Sequence, residues 1–505
     1  MTGRGLLVLS LLMLGAIAVA APQGREGGSK PALRLLASDT PIVSFRILFR
    51  TGSQDDPPGQ EGITALAAHT VAEGGTVDLP YDEVVKRLYP MAARLGVQVD
   101  TEMTVFTGEV HRDHLQEFYR LFSGLLLAPR FDAADLERNR DLQLNQLRNS
   151  LRGNDDESLG KAILNGALFA GHPYGHEVAG TVQALEKLSL ADVKGWYRSR
   201  FHRGRLTLGL AGGYPDGFQE RLTNDFAALP DGDTAPPVLP AVRAPEGITV
   251  TIAEKPCIAT AISIGLPLKV NRSDPDFYAL LLATSYLGEH RTFNGVLMNQ
   301  MRGVRGLNYG DYAYAEKFRE DGGSVFPASN IAQRQQFWSI WIRPLAHNNA
   351  HFALRQAVRE LDRLAQHGLT AEQFETTRAF LLSYSRLWTQ SLSRRLGFLL
   401  DGDFYGAAPL GEELARRLPA LTLDDVNRVV RKHLQARDLH VAIVTPQGAK
   451  LFEALIADQP SPIHYQAAEG TPEAVLAEDR EIERYALKVN RAASRVVAAA
   501  DLFER

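Results

Sequence analysis

The sequence predicts an α+β fold made of two homologous domains, each a mainly antiparallel sheet with helices packed on it. At 505 residues the chain is too long for one hydrophobic core. Strand-like and helix-like segments come in runs and do not alternate strictly, which favours α+β layers. The two halves also repeat one pattern, a helix followed by a strand: first Leu188–Phe201 with Leu206–Leu210, and later Thr422–Leu434 with His440–Val444.

The first half begins with a strand pattern. Apolar and polar residues alternate in Ile42–Arg50, as in a half-buried strand. The Gly-, Asp- and Pro-rich run Gly52–Gly62 predicts a loop, after which Thr64 is the expected cap of a helix. Val97–Val110 predicts a second strand. Two long amphipathic helices are expected next, at about His114–Leu127 and Ala133–Leu151.

The second half follows a linker, which is predicted because Leu229–Glu246 contains five prolines. Its expected elements are a strand region at Ile248–Pro267, a helix at Phe277–Tyr286, a strand at Phe337–Arg343, and helices at His351–Gln366 and Ala371–Leu392. In the tail, Ile482–Val489 is strand-like and Ala492–Leu502 is helix-like. The tail has no counterpart in the first half, and two roles stay open: packing back on the body or reaching a partner.

These patterns divide the chain into five parts. They are a signal peptide (1–20), an N-terminal domain (30–230), a linker (231–247), a C-terminal domain (248–460) and the tail (461–505). The signal peptide is predicted because Arg4 precedes a largely apolar run, Leu6–Val19, followed by small residues around Ala20. An uncleaved anchor is the alternative, but the run is shorter than the roughly 20 apolar residues that span a bilayer. We therefore expect a periplasmic or secreted protein, with no stable membrane insertion after cleavage.

Composition excludes several classes of function. A net charge of −4, from 55 basic and 59 acidic residues, gives no electrostatic basis for nucleic-acid binding. Cys257 is the single cysteine, so the chain has no internal disulfide and no C-x-x-C metal or redox site. No G-x-S-x-G motif is present, and Cys257 lacks any neighbouring catalytic motif. Nucleophilic triads are therefore not expected.

A set of short motifs in a fixed order resembles the insulinase/pitrilysin metallopeptidases. They are G-I-T-A-L-A-A-H at 62–69, F-R-T-G-S-Q-D-D-P-P-G at 49–59, L-E-R-N-R-D-L-Q-L-N-Q at 136–146, H-P-Y-G at 172–175, L-A-G-G-Y at 210–214, and F-N-G-V-L-M-N-Q-M-R-G-V-R-G-L-N-Y at 293–309. No single string decides the resemblance, which rests on their order and spacing across most of the chain.

In that family the helix at 62–69 carries H-x-x-E-H, whose histidines bind Zn²⁺ and whose glutamate is the general base. A glutamate on a later helix completes the metal site. The matching positions here are Ala65, Ala68, His69 and Gln146. Alanine has no donor atom, and a neutral glutamine amide is a poor zinc ligand compared with a carboxylate. The resemblance therefore implies a degenerate site, with one ligand of three and no base, and no zinc in this chain.

Other histidines offer weaker alternatives. Glu73 lies one helical turn after His69 and would be a replacement ligand, although an i,i+4 His/Glu pair is more often a surface contact. The pairs His111 with His114 and His172 with His176 are interpreted as ordinary packing.

The resemblance also implies a substrate-binding pair, Arg302 and Tyr309, seven residues apart. In active members the matching residues reach the substrate backbone near the metal, where a guanidinium and a phenol polarise a peptide carbonyl. The alternative is a structural role, in which Arg302 forms an ion pair on its helix and Tyr309 fills a strand surface. A chain with this pair but no metal site is similar to the pseudoenzyme subunit of heterodimeric members, whose zinc-bearing paralogue cleaves unfolded peptides. A peptide-binding scaffold without a proteolytic role, and an autonomous hydrolase with a relocated site, remain open.

Overall fold

The computed structural model describes residues 31–289, 295–319, 325–465 and 470–505. Over these residues the chain forms two mixed sheets covered by helices, which confirms the predicted α+β class. The predicted signal peptide lies outside the described residues. Within them, no helix combines the length and apolar character needed to cross a bilayer.

The first sheet has five strands in the spatial order β1-β5-β2-β4-β3. Their bounds are β1 (Ala32–Ala37), β2 (Ile42–Phe49), β3 (Arg94–Val99), β4 (Thr104–His111) and β5 (Leu206–Gly212). β1 and β5 are parallel, and the other neighbours are antiparallel. The prediction of one strand over Val97–Val110 is wrong. The chain reverses at Asp100, whose backbone N–H donates to the carbonyl of Met103 at 2.9 Å, and so forms the β3–β4 hairpin.

The second sheet repeats this plan with six strands in the order β11-β6-β10-β7-β9-β8. Their bounds are β6 (Thr249–Glu254), β7 (Thr260–Leu268), β8 (Asp311–Tyr314), β9 (Gln336–Leu345), β10 (His440–Thr445) and β11 (Arg495–Ala498). The predicted strand region Ile248–Pro267 is thus two strands. As β1 pairs in parallel with β5 in the first sheet, β6 pairs in parallel with β10, the last strand before the tail.

Sixteen α-helices surround the sheets in the part of the chain that is described. They are α1 (Ile63–Ala72), α2 (Tyr81–Leu88), α3 (Leu115–Leu127), α4 (Ala133–Asn145), α5 (Asp156–Leu168), α6 (Val182–Lys187), α7 (Leu190–Arg200), α8 (Phe218–Phe226), α9 (Asp276–Gly288), α10 (Ala350–His367), α11 (Ala371–Tyr384), α12 (Leu392–Tyr405), α13 (Leu410–Arg417), α14 (Leu423–His433), α15 (Gly448–Ile456) and α16 (Glu473–Ile482). Wide π-helical turns follow α4, at Gln146–Asn154, and α9, at Met298–Gly303.

Helix α1 starts differently from the prediction. Thr64 is not its cap, because the helix begins at Ile63 and Thr64 lies inside the first turn. The carboxylate of Asp56 takes the capping role: it accepts hydrogen bonds from the N–H groups of Gly62 (2.7 Å) and Thr64 (3.1 Å) and from the Thr64 hydroxyl (2.5 Å). A preceding loop residue therefore fixes the start of the helix that carries His69.

Each half packs one helix on the sheet of the other half. Helix α5 of the first half packs on β7 and β10, and α12 of the second half packs on β1, β2 and β5. Glycines in the sheets make room for both helices. A Cβ on Gly265 would lie 3.2 Å from a methyl carbon of Leu164, and one on Gly209 would lie 3.3 Å from the methyl carbons of Leu396. Each sheet is thus completed by a helix of the other half.

Buried polar groups add a second connection between the halves. Glu102, in the β3–β4 turn, accepts hydrogen bonds from Arg334 Nε (2.8 Å), from the Arg334 backbone N–H (2.7 Å) and from the hydroxyl of Tyr174. Arg46, on β2, donates to Asn330 Oδ1 at 2.6 Å. A buried carboxylate needs this many donors to offset its lost hydration.

The tail packs back on the body, which decides between the two roles left open. β11 pairs in parallel with β6 at the margin of the second sheet. The last residues return to the first half, where the carbonyls of Phe503 and Glu504 accept from the N–H groups of Val182 (2.9 Å) and Gln183 (3.0 Å).

Both local predictions for the tail are wrong. The predicted strand from Ile482 forms no regular strand, because that residue ends α16 and the segment pairs with the body through one bridge between Val489 and Ile248. Part of the predicted helix after Ala492 is instead the strand β11.

Replacing Glu102 with Gln tests the buried connection between the halves. We expect Glu102→Gln to lower the free energy of unfolding by about 2 kcal/mol, because the buried Glu102 carboxylate, 3% exposed, accepts charge-assisted hydrogen bonds from Arg334 that an amide does not replace. Urea unfolding followed by circular dichroism measures the change. Glu109→Gln is the control, since Glu109 accepts one long hydrogen bond, 3.5 Å, from Ser44. Equal unfolding midpoints for the two variants would contradict the assignment.

Candidate functional site

Three of the four degenerate metal positions meet at one cavity of about 800 Å³. Ala65 and His69 line it from successive turns of α1, and Gln146 lines it from the start of the wide turn after α4. Ala68 is fully buried and packs with the core of the first domain. Ala65, His69 and Gln146 therefore line one cavity together.

His69 is paired with Glu73 on the same wall. His69 Nδ1 lies 3.1 Å from Glu73 Oε1, and the two side chains are 39% and 35% exposed. The hydrogen bond from His69 is the main cause that lowers the pKa of Glu73. The contact matches the surface i,i+4 pair that was favoured over a replacement zinc ligand.

Two further acids, Asp100 and Glu177, line the cavity. Asp100 lies 2.5 Å from Lys317 Nζ and 3.7 Å from Arg319. Burial alone would raise the pKa of Asp100, but Lys317 and Arg319 lower it overall. Burial dominates at Glu177 and raises its pKa, although Lys317 and His176 oppose the effect. Nearby cations therefore outweigh the effect of burial at Asp100 but not at Glu177.

The donor set does not fit a catalytic zinc ion. Among the described residues, no group of three or more His, Cys, Asp and Glu side chains is placed to hold a metal. His176 lines the cavity, but its ring nitrogens lie 2.9 Å and 2.8 Å from the backbone carbonyls of Ser53 and Glu177. His172 is buried, and its Nδ1 accepts from the N–H of Tyr174 at 3.1 Å. Zinc needs three converging ligands, and this wall supplies one imidazole.

The second half contributes the opposite wall of the cavity. Lys317 and Arg319 follow β8, while Phe337 and Trp341 lie on β9. The Trp341 ring is 4.4 Å from that of Tyr314, and Lys161 Nζ of α5 lies 3.5 Å from the Trp341 ring centre. The cavity thus lies between the halves and combines aromatic surface with basic groups.

Arg302 and Tyr309 contact each other outside the lining of this cavity. The Arg302 guanidinium is 4.6 Å from the centre of the Tyr309 ring, and Tyr309 is 62% exposed. Arg343 lies 5.5 Å from the same ring and 3.1 Å from Glu157, which in turn pairs with Lys161 at 2.8 Å. A row of charged groups therefore joins the pair to the cavity.

Several of these residues were missed by sequence reasoning. Glu157, Lys161, Arg343 and Trp341 carry no local motif, and they meet because α5 packs on the second sheet. Only knowledge of that long-range packing would have found them.

Comparisons with known proteins match this fold and its motifs. Residues 35–182 match the model of "Insulinase (Peptidase family M16)", and residues 187–381 match that of "Peptidase M16 inactive domain". The chain belongs to the M16 (insulinase) peptidase family. The resemblance inferred from the motifs is thereby confirmed.

Two relatives of this M16 chain illustrate the range of the family. A Helicobacter pylori protein named "Non-peptidase homolog YmxG" is 25% identical over 410 residues, covering 80% of this chain and 89% of the relative. "Mitochondrial-processing peptidase subunit beta" of Caenorhabditis elegans is 23% identical over 247 residues, covering 48% and 51%.

Solved structures share the fold of this M16 chain. A peptidase M16 inactive domain from Pseudomonas fluorescens superposes with a TM-score of 0.72 at 20% identity, covering 82% of this chain and 96% of that one. The periplasmic protease PqqL of Escherichia coli gives a TM-score of 0.64 at 16% identity, covering 93% and 50%.

Restoring two ligand residues tests whether their absence is what prevents tight zinc binding at this site. We expect the double variant Ala65→His/Gln146→Glu to bind zinc roughly a hundredfold more tightly than the parent chain, because three donors then face one point. Isothermal titration calorimetry with zinc chloride measures the affinity. Gln146→Glu alone is the control and is expected to bind weakly. Equally tight, stoichiometric zinc binding by the unaltered chain would show that other ligands exist.

Proposed function

We propose that this M16 chain is an exported, non-catalytic partner subunit that binds unfolded peptides for cleavage by a zinc-bearing paralogue. The observation that carries the proposal is the cavity itself: it keeps a volume suited to a peptide segment, while its metal wall has lost the ligands and the base. A cavity of this kind holds a substrate without activating water. Catalysis then has to come from another subunit.

The position of β3 supports peptide binding. In the described sheet β3 pairs with β4 on one side and lies at the margin on the other. Its last residue, Val99, and the next two, Asp100 and Thr101, line the cavity. An extended peptide can add as a strand at such a margin, where backbone hydrogen bonds give affinity without sequence specificity. This mode suits substrates that are unfolded.

The chemistry of Arg302 and Tyr309 supports a substrate role. The contact holds the partly buried Arg302 guanidinium beside the exposed phenol of Tyr309. In a complex, the surface that carries them would meet a peptide that extends beyond the cavity. The pair then polarises or orients a peptide carbonyl at the site of the partner.

Names of relatives support the partner assignment. The H. pylori relative is described as a non-peptidase homologue, and the C. elegans relative is described as a subunit. Export is supported by the apolar N-terminal pattern, and the similar fold of a periplasmic protease agrees with it. A scaffold without proteolytic function is the second candidate, favoured by the position of Arg302 and Tyr309 outside the cavity lining.

Reconstitution with a zinc-bearing M16 paralogue of the same organism tests the proposal. We expect the mixture to cleave a fluorescein-labelled casein peptide in a chelator-sensitive manner, and this chain alone to be inactive. Arg302→Ala and Tyr309→Phe should each lower kcat/KM of the mixture by about tenfold or more, since each removes a contact to the transition state.

Arg431→Ala is the matched control, because Arg431 is an exposed arginine on α14 and should leave kcat/KM unchanged. Unchanged cleavage in the Arg302 and Tyr309 variants would favour the scaffold. Chelator-sensitive cleavage by this chain alone, abolished by His69→Ala, would refute the proposal.

A further inference from the structure

The tail helix α16 contacts the segment that carries the proposed substrate-binding pair. We call residues 298–309 the Arg302 segment. Arg305, in the middle of this segment, has a fully buried side chain and donates from Nε to Asp479 Oδ1 at 2.7 Å and from its NH2 nitrogen to Glu478 Oε2 at 2.8 Å. Both acceptors belong to α16, so two charge-assisted hydrogen bonds join the tail to the segment.

The same guanidinium also fixes the fold of the segment itself. Its NH1 nitrogen donates to the backbone carbonyl of Gln300 at 3.1 Å. Around it, the N–H groups of Gly306 and Leu307 donate to the carbonyls of Arg302 (2.9 Å) and Met301 (3.0 Å). Arg305 is therefore the internal support of a compact turn, and Arg302 and Tyr309 lie on either side of it in the chain.

The tail carboxylates are themselves held in place. Glu478 Oε1 accepts from Arg359 of α10 at 2.9 Å, and Asp479 Oδ2 accepts from the hydroxyl of Tyr465 at 2.6 Å. Ile482, at the end of α16, is buried in the main core of the second half. An isolated helix of ten residues is marginal in water, so these contacts are what keep α16 folded.

We infer that α16 is a positioning element: through Glu478 and Asp479 it holds Arg305, and through Arg305 it sets the geometry of Arg302 and Tyr309. The inference rests on the proposed function, because the geometry matters only if the pair contacts a peptide. A buried guanidinium that loses its acceptors has to find others or become exposed, and either change loosens the turn. The tail would then control substrate affinity without touching the substrate.

Hydrogen exchange of the full-length chain tests the inference, with binding of a fluorescein-labelled casein peptide measured in parallel. The variants are Asp479→Asn and Glu478→Gln, made singly so that one acceptor always remains, and Tyr465→Phe as a milder change. We expect amide exchange in the Arg302 segment to become about tenfold faster in the first two. Peptide affinity should fall more in Asp479→Asn and Glu478→Gln than in Tyr465→Phe.

Glu481→Gln is the matched control. Glu481 lies on the same helix and pairs with Arg359 at 3.0 Å, but it is 71% exposed and does not contact Arg305. It should change neither exchange in the Arg302 segment nor affinity. Circular dichroism of every variant confirms that the chain is folded before the two measurements are compared.

The possible outcomes separate the inference about α16 from the proposed function. Unchanged exchange in the Arg302 segment of Asp479→Asn and Glu478→Gln would overturn the inference. Faster exchange with unchanged affinity, while Arg302→Ala lowers affinity, would also overturn it, since the tail would hold the segment without positioning the pair. If exchange rises and Arg302→Ala has no effect on affinity either, the connection to the tail is supported and the proposed function fails.

Discussion

The packing of α5 on the second sheet and of α12 on the first sheet is the constraint on which the rest of the structure depends. Each sheet needs an apolar helix on its face to exclude water, and in both cases the other half supplies that helix. Gly209 and Gly265 show how closely the surfaces approach, because a single added carbon at either would press on a leucine of the incoming helix. The two largest apolar clusters lie within single halves, and a third cluster contains residues of both, so packing between the halves forms walls of the cavity.

This constraint explains how the fold accommodates a wall without a set of zinc ligands. The wall that carries Ala65, His69 and Gln146 is held by packing and by the Asp56 cap, and neither depends on an ion. Alanine at position 68 fits the core without a buried charge, whereas a glutamate there would need a partner. The chemistry of the site and the stability of its frame are therefore separable in this M16 chain. The charges that remain, such as Asp100 with Lys317, stabilise the contact between the halves.

Local sequence patterns predicted much of the fold. The capping boxes of Ser189 with Asp192 and Thr422 with Asp425 are short-range signals, and the helices they start were expected. The errors arose where distant parts of the chain decide the outcome. Asp56 caps α1 from a loop, and the tail becomes strand β11 because β6 offers it a partner. The candidate site divides in the same way: its degenerate positions follow from the family resemblance of two sequence motifs, whereas Glu157, Arg343 and Trp341 converge only because α5 packs on the second sheet.

Strand β11 has a consequence for the order in which the protein is made. Its residues, Arg495–Ala498, pair with β6, which is formed from residues synthesised more than two hundred positions earlier. Until they arrive, the outer hydrogen-bonding groups of β6 have no strand beside them, a state that invites pairing with other chains. A chain without residues 495–498 would therefore expose the outer backbone groups of β6 as an open strand edge.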